Sequence, residues 1–117
     1  MILIAQRSRG PKYAEVVARL TKASHPVVLT AGTAEAVDLI ADLRPDVVLV
    51  DEPATQSCPH TLCGWIREAM TRPPAMVGMV RIEDPAQRAK CQECMTILDP
   101  GTHPSLIAAT AAALMDG

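Results

Sequence analysis

Residues 45–51 read Pro-Asp-Val-Val-Leu-Val-Asp, an apolar run that follows a proline and an acid and ends at Asp51. A short apolar run bounded in this way is typical of a strand buried on both faces of a parallel sheet. In an open α/β sheet, the C-terminal ends of the strands form the crevice in which ligands bind. Asp51 therefore has the position of a candidate functional residue.

The rest of the chain alternates between strand-length apolar runs and segments with helical periodicity. Alternation of this kind predicts an α/β fold: a five-stranded parallel sheet between two layers of helices, with right-handed crossovers. In the second helix, Val37, Ile40 and Ala41 are expected to face the core. Asp84 and Pro85 are predicted as the cap and the first residue of the fourth helix. The predicted strands cover residues 1–5, 27–30, 45–51, 75–80 and 95–98, and the predicted helices cover residues 11–22, 34–43, 61–71, 84–92 and 104–115.

Composition limits the classes of function that fit this chain. Its 117 residues predict one domain, residues 1–117, and the hydrophobic fraction of 49% is enough for a packed core. A net charge of −2 and an aromatic fraction of 2% argue against nucleic-acid binding. No apolar run is long enough for a membrane span, so we expect a cytoplasmic protein with reduced cysteines. A Gly-rich phosphate loop and a catalytic triad pattern are both absent, so neither an enzyme nor a cofactor is predicted.

The five βα units, with an aspartate that ends the third strand, resemble the receiver domain of two-component response regulators. The resemblance covers essentially the whole chain and is best at residues 34–51, where Asp51 occupies the phosphoacceptor position. Residues 96–101, Thr-Ile-Leu-Asp-Pro-Gly, are similar to the segment in which the family has Lys-Pro. The resemblance implies a flavodoxin-like sheet in the order 2-1-3-4-5 and a role in signal transduction.

The chain departs from the pattern of a phosphorylatable receiver at each remaining site position. The family has an acidic pair that holds Mg²⁺ after the first strand, a Ser or Thr at the end of the fourth strand and a Lys at the end of the fifth. The fifth strand of a receiver also has an aromatic residue, whose position falls near Thr96. The corresponding residues of this chain are Gln6 and Arg7 for the acidic pair, Val80 and Arg81 for the hydroxyl, and Asp99 for the Lys.

These substitutions predict a degenerate site. Asp51 and Asp99 are expected at adjacent strand ends, where two like charges repel each other. A phosphoryl group adds a charge of roughly −1.5 to −2, which is unfavourable without Mg²⁺ or a lysine. Arg7 is expected to replace the missing cation by pairing with one or both carboxylates. Three roles stay open for Asp51: a structural carboxylate that caps a helix or pairs with Arg7, a ligand or switch residue, and a phosphoacceptor.

The four cysteines form two pairs, Cys58 with Cys63 and Cys91 with Cys94. The predicted fold places the pairs at opposite edges of the sheet, about 16 Å apart. Zinc bonds sulfur at ~2.3 Å, so one ion cannot reach both pairs. A local metal site of Cys58, His60 and Cys63 remains possible, as does a redox couple of Cys91 and Cys94. In the simpler interpretation, Cys63 is a small core residue and the other thiols have no special role.

The predicted function is that of a non-enzymatic pseudo-receiver that acts through protein–protein contact. In receivers, the face made by the fourth helix, fifth strand and fifth helix commonly binds a partner or a second copy. Here that face would include Arg88, Lys90 and the Ala-rich segment 105–115. The alternatives are a phosphorylatable receiver that uses Asp51 and a cysteine-based redox or metal sensor on the same fold. His25 and His103 precede prolines and are predicted as surface residues without a partner.

Overall fold

The computed structural model describes residues 1–5, 11–30, 33–51, 66, 68, 70–79, 83–92, 95–99 and 101–116. At residues 11, 30, 33–37, 51, 87, 90, 91 and 116 only the backbone is described. All contacts, counts and distances of the structure are those of these residues.

Five parallel strands form one sheet in the order β2-β1-β3-β4-β5, as predicted. Each strand pairs in parallel with its neighbours, so all C-terminal strand ends meet at one edge of the sheet. The strands are β1 (Ile2–Ala5), β2 (Val27–Thr30), β3 (Val47–Asp51), β4 (Ala75–Met79) and β5 (Thr96–Leu98).

Helices cover both faces of the sheet, which gives the predicted three layers. A helix between β3 and β4, called α3 here, is described at two positions, Ile66 and Glu68. None of the helices in the described ranges has the length and apolar character needed to span a bilayer. The other helices are α1 (Pro11–Lys22), α2 (Thr33–Leu43), α4 (Pro85–Gln92) and α5 (Pro104–Asp116).

The central strands have apolar side chains on both faces because a helix layer covers each face. Side chains alternate between faces along a strand, so neighbouring residues enter different clusters. One cluster joins Ile4 and Leu49 of the sheet to Val16 of α1 and Ile107 of α5. The other joins the sheet to Ile40 of α2 and Ile66 of α3, and it includes Leu3, Ala5, Val48, Val50, Met76 and Met95.

Two helices end on residues with left-handed backbone. Ser24 has a φ of 67°, and the bonds from its own amide to Thr21 O (2.9 Å) and from His25 N to Leu20 O (2.9 Å) form a Schellman motif. Arg44 has a φ of 50°, and its amide donates to Ile40 O at 3.0 Å. Left-handed backbone is unfavourable for residues with a Cβ, so both ends carry a conformational cost that glycine would not.

The predicted start of α4 is confirmed. The amide of Ala86 donates to Asp84 Oδ1 at 3.0 Å, and the amide of Arg88 donates to Asp84 O at 2.9 Å. Asp84 therefore caps the helix, and Pro85 is its first residue. An amide at this position would have no acceptor within the helix, so proline loses no hydrogen bond there.

Two details of the predicted helices were wrong. Ala41 is exposed, and Leu39 packs beside Ile40 against the core instead, because the buried face of α2 is centred between these two positions. The third helix was predicted to continue to Thr71, but the backbone is no longer helical at Met70, whose amide donates to Ile66 O at 3.0 Å. Residues 71–74 then connect the end of α3 to the start of β4.

Candidate functional site

The candidate site lies at the C-terminal edge of the sheet, the position predicted for Asp51 from the buried strand that it ends. Asp51 is the last residue of β3 and pairs with Met79, the last residue of β4. Met79 in turn pairs with Leu98, the last residue of β5. Val50 pairs with Ala5, so Asp51 lies one position beyond the described end of β1. The main chain of Asp51 is therefore held in the middle of a row of strand ends.

Most of the predicted site lies outside the described residues. This applies to Gln6, Arg7, Val80 and Arg81, and Asp51 is described by its backbone alone. The pairing of Arg7 with Asp51, and each of the three roles left open for Asp51, stay predictions. Asp99 is the predicted site residue whose side chain the structure describes.

Asp99 directly follows β5 and bends the chain toward α5. Its Oδ1 atom accepts a hydrogen bond from the amide of Gly101 at 2.7 Å, and its carbonyl oxygen accepts from the amide of Thr102 at 2.9 Å. A Cβ atom at Gly101 would lie 3.2 Å from Asp99 Oδ1, a tight contact that glycine avoids. The carboxylate therefore serves the turn after β5, in an arrangement typical of Asp two residues before a turn amide.

Asp51 and Asp99 are not at adjacent strand ends, so that expectation was wrong. The strand order places β4 between β3 and β5, and Met79 separates the two ends. Two strand spacings amount to about 10 Å between the backbones. The predicted repulsion between two adjacent carboxylates therefore has no basis in the described strand order.

His103 has a partner, contrary to the prediction. The imidazole is exposed, and its Nδ1 atom lies 2.7 Å from Ser105 Oγ and accepts from the amide of Ser105 at 3.1 Å. The carbonyl oxygen of His103 accepts from the amide of Leu106 at 2.9 Å. These bonds satisfy donors at the start of α5, which helix ends otherwise leave unpaired. The spacing His-Pro-Ser before an apolar helix could have signalled this cap.

The cysteine hypotheses are not tested by the described residues. Cys91 lies in α4, where its backbone is described, and Cys58, His60, Cys63 and Cys94 lie outside the described ranges. Among the described residues, no group of three or more His, Cys, Asp or Glu side chains is arranged to hold a metal ion. The local metal site and the redox couple therefore remain hypotheses.

The predicted contact face, formed by α4, β5 and α5, has exposed side chains on each element. Arg88 of α4 and Thr96 of β5 are exposed, while the side chain of Lys90 lies outside the described residues. On α5, Leu106 is 56% exposed and is followed on the same side by the exposed residues Ala109 and Ala113. Residues 104–115 have no charged side chain, so α5 presents a small apolar surface.

The chain is similar to known proteins in structure, but its sequence matches no family model. No protein-family model matches the chain, and no curated protein matches it. Several solved structures match over nearly its whole length. The signal receiver domain of a histidine kinase from Syntrophus aciditrophicus is 21% identical with a TM-score of 0.76, and the match covers 99% of this chain and 89% of that one.

Two further matches are response regulators. A two-component response regulator from Clostridium difficile is 18% identical with a TM-score of 0.79, covering 98% of this chain and 94% of that one. A chemotaxis response regulator of Vibrio cholerae is 16% identical with a TM-score of 0.78, covering 97% and 96%. Together with the strand order, these matches define the fold as the flavodoxin-like fold found in receiver domains.

Proposed function

We propose that this chain is a degenerate receiver domain that transmits a signal through protein–protein contact and is not phosphorylated on Asp51. The observation that carries the proposal is the carboxylate of Asp99 at the end of β5, bonded to Gly101 at 2.7 Å. In the receivers that the sequence resembles, the same position has a lysine that pairs with the phosphoryl group. An acidic group engaged in a local turn has the wrong charge for that role.

Electrostatics supports the loss of phosphorylation. A phosphoryl group of roughly −1.5 to −2 charge needs a cation beside it, and the described residue that directly follows β5 is the carboxylate Asp99. The sequence also has Gln6 and Arg7 in place of the acidic pair that would hold Mg²⁺. Binding of Mg²⁺, on which phosphorylation of a receiver depends, is thus disfavoured.

The proposed route of signalling is contact through the face formed by α4, β5 and α5. Leu106, Ala109 and Ala113 form an uncharged surface that a partner helix can approach closely because alanine side chains are short. The occupant is a protein partner or a second copy of this chain. As a cytoplasmic module it would need neither a cofactor nor a metal for this role, and the proposal includes no enzymatic activity.

A phosphorylation assay tests the proposal directly. The protein is incubated with Mg²⁺ and acetyl phosphate, and its intact mass is measured beside that of an active receiver as a positive control. We expect no mass gain under conditions that label the control. The matched variants are Asp51→Ala, which removes the acceptor, and Asp42→Ala, which removes an exposed carboxylate of α2. A gain of one phosphate in the wild type and in Asp42→Ala, but not in Asp51→Ala, would contradict the proposal.

A further inference from the structure

A groove of about 980 Å³ opens at the edge of the sheet opposite Asp51. It lies between the C-terminal end of α2 and the described residues of α3, and the segments that lead into β3 and β4 line its base. Its apolar lining includes the buried residues Ile40, Ile66 and Pro74 and the half-buried Met70. A volume of this size is in the range of sites that bind small ligands or peptide side chains, roughly 300–1,000 Å³.

Two arginines line the groove. Arg44 and Arg72 are both exposed, and neither guanidinium has an ion pair or hydrogen bond among the described residues. Two carboxylates, Asp46 and Glu68, also line it, but Asp46 Oδ2 is already 2.7 Å from the amino group of Met1. The groove therefore has two guanidinium groups without a described partner but only one carboxylate without a described partner, Glu68. This balance favours an anionic occupant.

The backbone of Arg44 makes this residue a useful test of the groove. Its φ of 50° lies in the left-handed region, where glycine or asparagine is the usual residue after a helix. An arginine there destabilises the fold relative to glycine, as Ser24 does at the end of α1. Replacing Arg44 by glycine therefore removes the guanidinium without a cost in backbone conformation.

The floor of the groove is preformed. Its chain segments contain three prolines, Pro45, Pro73 and Pro74, which restrict the backbone. The amide of Asp46 donates to Met1 O at 2.9 Å, and the amide of Ala75 donates to Asp46 O at 2.9 Å, so the segments are also tied to the sheet. A preformed site does not need to order its own chain when it binds, which favours affinity.

We infer that this groove binds an acidic peptide segment of a protein partner, with an apolar side chain against the half-buried Met70 and carboxylates on Arg44 and Arg72. Guanidinium groups bind carboxylates with two parallel hydrogen bonds, which gives orientation as well as affinity. The inference rests on the proposed function as a protein-contact module, and it adds a surface whose lining residues lie outside α4, β5 and α5.

A peptide selection tests the inference and does not require the partner itself. Random short peptides displayed on phage are selected on the wild-type protein and depleted on an Arg44→Gly, Arg72→Ala variant. We expect the enriched peptides to combine Asp or Glu with a neighbouring large apolar residue. One enriched peptide, synthesised with a fluorescent label, is then used to measure dissociation constants at low and high salt, and its binding should weaken as salt rises.

The variant Arg44→Gly separates binding from folding. It removes the guanidinium and relieves the left-handed backbone, so the labelled peptide should bind about tenfold more weakly while the urea midpoint rises. Ser24→Gly relieves the same kind of backbone at the end of α1 and should raise the midpoint without changing peptide affinity. Lys22→Ala, which truncates an exposed cation of α1 outside the groove, should leave the peptide affinity unchanged.

Several results would overturn the inference. These are a selection that yields no binder, enriched peptides without carboxylates, equal affinity in Arg44→Gly, displacement of the peptide by inorganic phosphate, and self-association of the protein that depends on Arg44 and Arg72. The outcome is distinguishable from that of the proposed function. Phosphate transfer to Asp51 would contradict the degenerate receiver and leave the peptide result standing, while failure of the selection would leave the phosphorylation result standing.

Discussion

The amide of Gly101 donates a 2.7 Å hydrogen bond to the Oδ1 atom of Asp99, directly after the last strand of the sheet. This bond gives the carboxylate a local structural role at the position where the resemblance predicts the lysine of a phosphorylatable receiver. The bond also links the end of β5 to the start of α5, so one acidic residue shapes the path into a helix of the proposed contact face.

The turn after β5 should depend on the acceptor atom of residue 99. We expect Asp99→Ala to lower the free energy of unfolding by about 0.5–1 kcal/mol, because the amide of Gly101 loses an acceptor in a solvent-exposed place. Asp99→Asn retains a side-chain oxygen and should have a smaller effect. Urea denaturation of the three proteins measures the difference. An equal loss of unfolding free energy in both variants would mean that Asp99 stabilises the protein through its charge and not through its hydrogen bond with Gly101.

The cap of α4 should contribute measurably to stability. Asp84→Ala removes the acceptor of the Ala86 amide, and we expect a loss of about 1 kcal/mol of unfolding free energy. Asp84→Ser is the matched control because serine also caps helices, so it should retain most of the stability. Thermal and urea denaturation provide the measurement, and a fully stable Asp84→Ala protein would show that the cap is dispensable.

Truncation of two neighbouring residues of α5 should change the stability of the protein to very different extents. Ile107 is fully buried, so Ile107→Ala should cost about 2–5 kcal/mol of unfolding free energy through lost contacts and a cavity. Leu106 is 56% exposed, so Leu106→Ala should change stability by less than about 0.5 kcal/mol. Urea denaturation compares the pair. A large loss in Leu106→Ala would show that this side chain is covered within the chain and is not free for a partner.

The wild-type protein should not bind Mg²⁺, and a variant with two carboxylates at positions 6 and 7 should bind it. We expect calorimetric titration of the wild type with millimolar Mg²⁺ to show no binding, because the resemblance predicts Gln6 and Arg7 in place of the two carboxylates that would hold this ion. The double variant Gln6→Asp, Arg7→Asp should bind Mg²⁺ if Asp51 completes the site. Adding Asp51→Ala to that variant is the control and should abolish binding. Specific binding of Mg²⁺ by the wild type would contradict the degenerate site.

The left-handed residue that ends α1 offers a simple gain in stability. Ser24→Gly removes the Cβ from a backbone with a φ of 67° while the bonds of the Schellman motif remain. We expect the free energy of unfolding to rise by about 0.5–1 kcal/mol in urea denaturation. Ser24→Ala, which retains a Cβ, is the control and should show no such gain.

Much of the fold could be predicted because local patterns and the global topology agree. The run that ends at Asp51, the alternation of strand and helix segments and the Asp84-Pro85 helix start each depend on residues close in sequence. Errors arose where the outcome depends on packing between elements. Ala41 was expected inside, but the centre of the buried face of α2 is decided by the sheet beneath it, which favours Leu39 and Ile40.

The position of the candidate site could be predicted from the sequence, but the hydrogen bonds and the spacing of its residues could not. Its location at the C-terminal strand ends followed from the fold, and the charge of Asp99 was readable from the sequence. The local bonds of Asp99 with Gly101 and of His103 with Ser105 were missed, although Asp-x-Gly and His-x-Ser before a helix are usable signals. The adjacency expected for Asp51 and Asp99 was wrong because it left out the strand between them.

The sequence by itself determined the order of the strands and helices along the chain, the start of α4 and the residue type at each described strand end. These features depend on hydrophobic period, proline and capping chemistry, which act over a few residues. Only the tertiary structure decided that Met79 separates Asp51 from Asp99 and that Arg44 and Arg72 line one groove. Such relationships join residues far apart in the chain, and the packing of the whole sheet against its helices determines them.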